Sequence, residues 1–271
     1  MGPWIWLIPL GFVVGAYGTL IGAGGGFVLV PVLLLVYPHD APELITSISL
    51  AVVFLNATSG SVAYARMKRI DYRSGLLFAA ATVPGAILGA LTTEHIPRRS
   101  FNAILGVVLI VICIYLLLRP RKEAPRHEKP PAGHTTRTIV DREGTRHTFT
   151  FRPWVGVVLS LFVGYLSSLL GIGGGIIHVP ALVHLLNFPA HIATATSHFI
   201  LAIMALVGTG VHVATGDFSH GALIALYLGL GAVVGAQLGA GISTRLRGVW
   251  IIRGLAIALG FVGVRILVMA L

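Results

Sequence analysis

Charge is what this sequence has least of. Only 10% of its 271 residues are Asp, Glu, Lys or Arg, too few to give a soluble domain of this length a hydrated surface. Acidic residues are scarcest, nine against 19 Lys and Arg, and each lies in or beside a loop: Asp40, Glu43, Asp71, Glu94, Glu123, Glu128, Asp141, Glu143 and Asp217. No carboxylate pair therefore sits within an apolar stretch to serve a proton relay or aspartyl-protease chemistry. A single cysteine, Cys113, excludes an intrachain disulfide. The chain has no G-x-x-x-x-G-K-[ST] phosphate loop and so does not itself hydrolyse ATP. No His, Cys and acid cluster has metal-ligand spacing. Neither a metal, another cofactor nor an enzyme is expected.

What the sequence has is apolar length. Hydrophobic residues make up 56% and mean hydropathy is +0.91, as in an integral membrane protein. Stretches long enough to cross a hydrocarbon core of about 30 Å run over 44–65, 74–93, 101–118, 190–214, 221–243 and 250–270. Two more, 4–37 and 154–187, are too long for one span, and each carries three consecutive glycines. The apolar N-terminal stretch lacks the Lys or Arg of a signal peptide and reads as a retained helix. Asn56-Ala57-Thr58 matches a glycosylation sequon but falls in mid-span, where no glycan would be attached.

A shift of 149 residues lays Gly15 on Gly164, Gly22 on Gly171, Gly24, Gly25 and Gly26 on Gly173, Gly174 and Gly175, and Pro31 on Pro180. After a gap of three residues Asp71 falls on Asp217, Gly75 on Gly221, Gly85 on Gly231 and Gly89 on Gly235. Such duplication predicts two membrane repeats, 1–118 and 153–271. They are joined by a linker, 119–152, with nine basic and four acidic residues. In a polytopic protein the positive-inside rule explains that charge better than nucleic-acid binding does, and places the linker in the cytoplasm. Within it, "TRTIVDREGTRHTFTF" alternates apolar and polar residues around Glu143-Gly144, the pattern of a small hairpin. Treating 4–37 and 154–187 as re-entrant hairpins puts basic "RMKRIDYR" and Arg245 and Arg247 inside and makes the repeats inverted; only Arg98 and Arg99 then fall on the wrong face.

Non-helical backbone at membrane depth is tolerated where protein or a water-filled cavity satisfies it, and glycine permits positive φ and close approach of a ligand. Where a helix restarts after such a break, its first amides are unpaired and carry the positive dipole end, an anion site without a cationic side chain. Half-helices starting near Gly26 and Gly175 each supply one. A lone pair of glycines would more simply serve helix packing; a Gly-x-Gly-Gly-Gly cluster at the same place in both halves argues for a binding turn.

"GTLIGAGGGFVLVPVLL", "ITSISLAVVFLNATSGSVAYARMKRIDYRSGLLFAAATVPGAILGA", "SSLLGIGGGIIHVPALV" and "IATATSHF" together resemble the sulfite exporter TauE/SafE family of bacterial and archaeal transporters. The resemblance covers nearly the whole chain apart from the linker. It implies a multi-pass protein of the plasma membrane that moves small anions: sulfur oxyanions or organosulfonates such as sulfite, thiosulfate or sulfoacetate, with carboxylates such as lactate or glycolate in some relatives.

Thr46, Ser47, Ser49 and Asn56 on the span after the first glycine cluster, and Thr194, Thr196, Ser197 and His198 on its counterpart, are the side chains placed to help. At the 149 shift Ser49 stands opposite His198. Hydroxyls and amides donate to an oxyanion without burying a charge; their commoner use in membranes is to bond their own or a neighbouring helix. His178 and His212 are weaker candidates, Gln237 reads as packing, and Arg265 as snorkelling to the headgroups.

The expected fold is thus an all-α polytopic integral membrane protein of two homologous, inverted halves, each a glycine-broken re-entrant segment with three transmembrane helices. The expected substrate site comprises Gly24, Gly25, Gly26, Ser47, Ser49, Asn56, Gly173, Gly174, Gly175, Thr196, Ser197 and His198. The expected function is secondary transport of a small anion by alternating access, with a proton or other ion as a candidate for coupling; a passive anion channel is the alternative. The lipid bilayer is the expected surrounding, nucleic acid is not a partner, and a homo-oligomer is compatible with the sequence.

Overall fold

In the computed structural model, residues 4–118, 132–216, 218, 221–243 and 248–270 are described. The first part of the basic linker, Arg245, Arg247 and Asp217 lie outside the described residues. The chain is predominantly helical: α1 (Leu7–Ile21), α2 (Gly26–Val36), α3 (Pro42–Arg66), α4 (Tyr72–Thr93), α5 (Arg98–Leu118), a hairpin of β1 (Thr135–Val140) and β2 (Arg146–Phe151), then α6 (Pro153–Leu170), α7 (Gly175–His184), α8 (Ala190–Thr215), α9 (Ala222–Ser243) and α10 (Gly248–Ala270). Among the described residues six helices are long and apolar enough to cross a membrane, namely α3, α4, the Arg98–Tyr115 part of α5, α6, α8 and α9. This is a polytopic membrane protein. Reading 154–187 as one re-entrant unit does not anticipate that α6, with 18 residues, is by length able to cross unaided; α7, with 10 residues, is not.

Elements in corresponding positions along the chain make corresponding contacts. α1 packs along α9 and α6 along α4, while α3 packs on α8 and α5 on α10. Small residues allow these approaches. Gly231, Gly235 and Gly239 form one row on α9, each with its Cα against a carbonyl of α1, those of Ile8, Phe12 and Ala16 in turn. Gly85 and Gly89 on α4 meet the carbonyls of Leu161 and Tyr165 on α6 in the same way. Both pairs run parallel. α3 and α8 run antiparallel instead: Gly60 lies against His198 at one end, and Gly208 against Leu50 towards the other. α5 and α10 are antiparallel as well, with Gly106 near Leu267 and Gly260 near Cys113.

The sequence spacing of the halves proves slightly uneven. α2 has 11 residues and α7 has 10, so α3 starting at Pro42 matches α8 starting at Ala190. The shift there is one less than at the glycines. Ser49 therefore corresponds to Ser197, Thr46 to Thr194, and His198 to Leu50, which corrects the pairing of Ser49 with His198.

Arg98 and Arg99, the cations on the wrong face for the charge rule, have another task. The Arg98 guanidinium donates to the carbonyls of Leu34 at 2.9 Å, of Tyr37 at 3.3 Å and of Asp40, closing the C-terminal end of α2. Arg99 Nε donates to the Ala270 carbonyl at 2.9 Å, closing α10. Cations are favoured at helix C-termini, where carbonyls lack intrahelical partners.

The hairpin forms where alternation placed it. Its strands pair antiparallel with Thr135 opposite Phe151 and Val140 opposite Arg146. The turn is organised by the buried Asp141, whose Oδ1 accepts from the amides of Glu143 and Thr145 at 3.0 Å each, while Oδ2 pairs with His147 Nε2 at 3.0 Å. Phe149 stacks on Phe151 and lies 4.3 Å, ring to ring, from Phe188 in the α7–α8 loop. Phe151 also meets Phe78 of α4. On the other side the Arg142 amide donates to the Met67 carbonyl at 3.0 Å in the α3–α4 loop. The hairpin thereby bridges loops from both parts of the chain.

Two outcomes are expected. Gly235→Val sets a branched side chain into the Phe12 carbonyl and should cost about 1–3 kcal/mol or more, read as a fall in Tm; Gly210→Ala, which faces open space, should not lower it. The His147 hydrogen bond, helped by the Thr145 and Glu143 amides and opposed by burial, holds the Asp141 carboxyl below its ordinary value. Its stabilisation of the hairpin is present above about pH 4 and lost as acid protonates the folded form below that. Hydrogen exchange at the hairpin amides should rise there, and Asp141→Asn should remove that dependence on pH.

Candidate functional site

The two glycine clusters form the centre of the molecule, and they touch. α1 ends at Gly22 with φ 82°, and Gly24 and Gly25 follow at φ 75° and 84°, conformations that a side chain would strain. The chain doubles back through this turn: the Gly25 backbone lies against Gly18 and Val14 of α1. α6 ends likewise at Gly171 with φ 66°, and Gly173 has φ 71°. Gly174 differs from Gly25, with φ −63°. Across the centre, a Cβ on Gly26 would stand 2.7 Å from the Gly171 carbonyl oxygen, and one on Gly175 would overlap that of Gly22. These are the same two positions seen from either half.

Two serines tie the turns together. Ser49 Oγ donates to the Gly171 carbonyl at 2.7 Å, and Ser197 Oγ to the Gly22 carbonyl at 3.2 Å. Each satisfies a buried acceptor that its own helix has released, worth about 1 kcal/mol net. Beside them stand Thr46 and Thr194, buried, adjoining Gly171 and Gly22 respectively. Neither Oγ1 has a hydrogen-bond partner. The sequence carried this pattern as Thr-x-x-Ser in both "TSIS" and "TATS", one helical turn on one face. A shift fixed at 149 hid it, and these two threonines were not carried into the expected site.

The turns also present donors. Among the described hydrogen bonds, the amides of Gly25, Gly26 and Phe27 and those of Gly174, Gly175 and Ile176 have no acceptor, although all six residues are buried. Buried amides without acceptors are rare, and here they are the positive ends of α2 and α7.

The remaining expected residues are differently employed. Ser47 Oγ bonds back to the Leu44 carbonyl of its own helix at 2.8 Å. Thr196 Oγ1 accepts the Asp71 amide at 3.0 Å, fixing the start of α4. Asn56 is fully engaged: Nδ2 donates to the carbonyls of Gly15 at 3.0 Å and Ala232 at 3.4 Å, and Oδ1 accepts from Thr19 Oγ1 at 3.1 Å. His198 Nε2 lies 3.1 Å from Thr19 Oγ1. With the Thr19 proton given to Asn56, the network assigns the proton of that bond to His198. The ring is closed in by Gly60 and by Tyr64, whose hydroxyl donates to the Thr19 carbonyl at 2.8 Å. Thr19 and Tyr64, the centre of this knot, gave no signal in the sequence beyond being polar residues in apolar runs.

His178 stands nearer to a turn than its sequence suggested. It occupies the first turn of α7 with Nδ1 next to Gly174, and Nε2 lies 3.1 Å from Ser160 Oγ. Gln237 Nε2 donates to the Ser59 carbonyl at 2.7 Å on an exposed helix face, a packing role, and Arg265 is exposed. His212 occupies the place corresponding to Tyr64.

The sulfite exporter TauE/SafE family model matches residues 7–266. A probable membrane transporter protein of Bacillus subtilis is 33% identical over 267 residues, covering 96% of each chain. One from Methanocaldococcus jannaschii is 27% identical over 74% of this chain and 69% of its own. Another, from Xylella fastidiosa, is 28% identical over 88% of this chain and 84% of its own. No solved structure matches.

The polar groups of the centre should separate by stability. Asn56→Leu strands three partners and should cost about 2–4 kcal/mol. The paired change Thr46→Val and Thr194→Val breaks no hydrogen bond in the protein and should leave Tm unchanged or raised.

Proposed function

The chain belongs to the sulfite exporter TauE/SafE family, and from that premise we propose that this membrane transporter binds a small oxyanion between its two glycine turns. The observation that carries the reading is the set of six acceptor-free amides and two partnerless threonine hydroxyls at one buried place. They form a donor shell without a cation. Such a shell suits an anion that must leave again, since a fixed positive charge would hold it by several kcal/mol more.

The halves are inverted repeats in the bilayer, with α1–α2 and α6–α7 as re-entrant pairs. Antiparallel α3 on α8 and α5 on α10 supports this. So does the hairpin, which adjoins the start of α6 and also touches Phe188 beyond the end of α7. In this conformation the turns close on each other. Transport proceeds by rocking one half against the other, which parts Gly26 from Gly171 and Gly175 from Gly22 and turns the amides to the anion. The hairpin and linker face the cytoplasm, and the cargo is a sulfur oxyanion or an organosulfonate.

Uptake of labelled anion into proteoliposomes tests the reading, after a panel of sulfite, thiosulfate, sulfate, sulfonates, lactate and chloride at fixed ionic strength has identified the ligand that raises Tm. The Thr46→Val and Thr194→Val pair should fold and lose at least about tenfold in rate, one to two hydrogen bonds' worth. Wild-type rates in this variant would overturn the site. A Tm shift with lactate and none with sulfur anions would replace the cargo class, and flux without saturation or counterflow would make the protein a channel.

A further inference from the structure

A buried, underbonded guanidinium stands at the hairpin end of the bundle. The α3–α4 loop turns through Lys68 at φ 56°, and the Arg69 amide donates to the Tyr64 carbonyl at 3.2 Å. This turn sends the Arg69 side chain inward, where it is only 8% exposed. Its guanidinium, with five donors, has little to bond. Nη1 is buried without a partner, and Nη2 has Glu143 Oε1 at 3.7 Å, beyond hydrogen-bonding reach. The Glu143 side chain is itself 68% exposed. Arg69, Arg142, Met67 and Glu143 line a cavity of about 330 Å³. The buried guanidinium of Arg69 thus faces one loosely held carboxylate, with the exposed Arg142 at the rim of the same cavity.

A buried, underbonded guanidinium is costly, and a planar fork is what carboxylate, sulfonate, sulfate and phosphate groups fill with two bonds. We propose that this cavity binds a small oxyanion on Arg69, and that Glu143 is the tethered carboxylate which that oxyanion displaces. The hairpin supplies the tether. Its turn is pinned by the Arg142 amide on the Met67 carbonyl and by Asp141 within, while the Glu143 side chain stays free to swing out. The site is separate from the glycine turns and does not require them to hold the cargo.

A polarity-sensitive dye on Thr145→Cys, an exposed turn position, reads this cavity and not the centre; the native Cys113 is buried. Sodium sulfate is titrated against sodium chloride at matched ionic strength, with the full chain in detergent. Glu143→Gln removes the competing carboxylate and should tighten the sulfate response about two- to fivefold, the amount an exposed ion pair of this kind contributes. Arg69→Gln should abolish it. Should Arg69→Gln fail to fold, Glu143→Gln alone decides, because that side chain is at the surface. A sulfate response identical in wild type and Glu143→Gln overturns the proposal, as does one retained in folded Arg69→Gln. Repeating the titration in phosphatidylglycerol nanodiscs names the natural source: competition identifies a lipid phosphate, and an unchanged curve a free anion, each at the same guanidinium. Since the dye does not report on Thr46 and Thr194, failure here leaves the central site standing, and loss of the central site leaves this result intact.

Discussion

Backbone lying on backbone governs this molecule. At its centre Gly26 rests on the Gly171 carbonyl and Gly175 on that of Gly22, with no side chain between. Any residue larger than glycine at either position would part the two turns. The rows of small residues on α4 and α9 follow from the same constraint, because the helices that carry the turns reach the centre only if α1 and α6 can press close to their neighbours. Ser49 and Ser197 then satisfy the carbonyls that the turns release, each reaching across from the other half.

Two kinds of polar group surround that contact, and they divide the work. Asn56, Thr19, Tyr64 and His198 spend their hydrogen bonds on helix backbones and on one another. They hold α1, α3, α8 and α9 in register, and removing one leaves another buried and unpaired. Thr46, Thr194 and the amides that begin α2 and α7 hold nothing. Groups of the second kind cost the fold something in this conformation, and a ligand can repay it.

Helix positions, both glycine breaks and the hairpin were legible because each depends on local chemistry: apolar length, glycine, and alternation around Glu143-Gly144. What escaped depends on partners far along the chain. Ser47 and Thr46 are neighbours in the same helix, and composition cannot tell that one bonds its own backbone while the other has no partner. The correspondence of Ser49 with Ser197 was hidden because α7 is one residue shorter than α2. The tasks of Arg98 and Arg99 were not legible either, since the charge rule counts cations as free to set topology and these two are spent on the carbonyl ends of α2 and α10.

The two halves correspond element by element but differ in side-chain chemistry, and one matching pair of places shows how. Where His198 meets Thr19 beside Gly60, the matching place beside Gly208 brings Leu50 to Ser168. Leu50 brings no donor to Ser168, whose hydroxyl has no hydrogen-bond partner. A buried imidazole that bonds α8 to α1 on one side is thus answered by an apolar contact on the other, and the same polar-to-apolar substitution made at both places should cost the fold at one and not at the other.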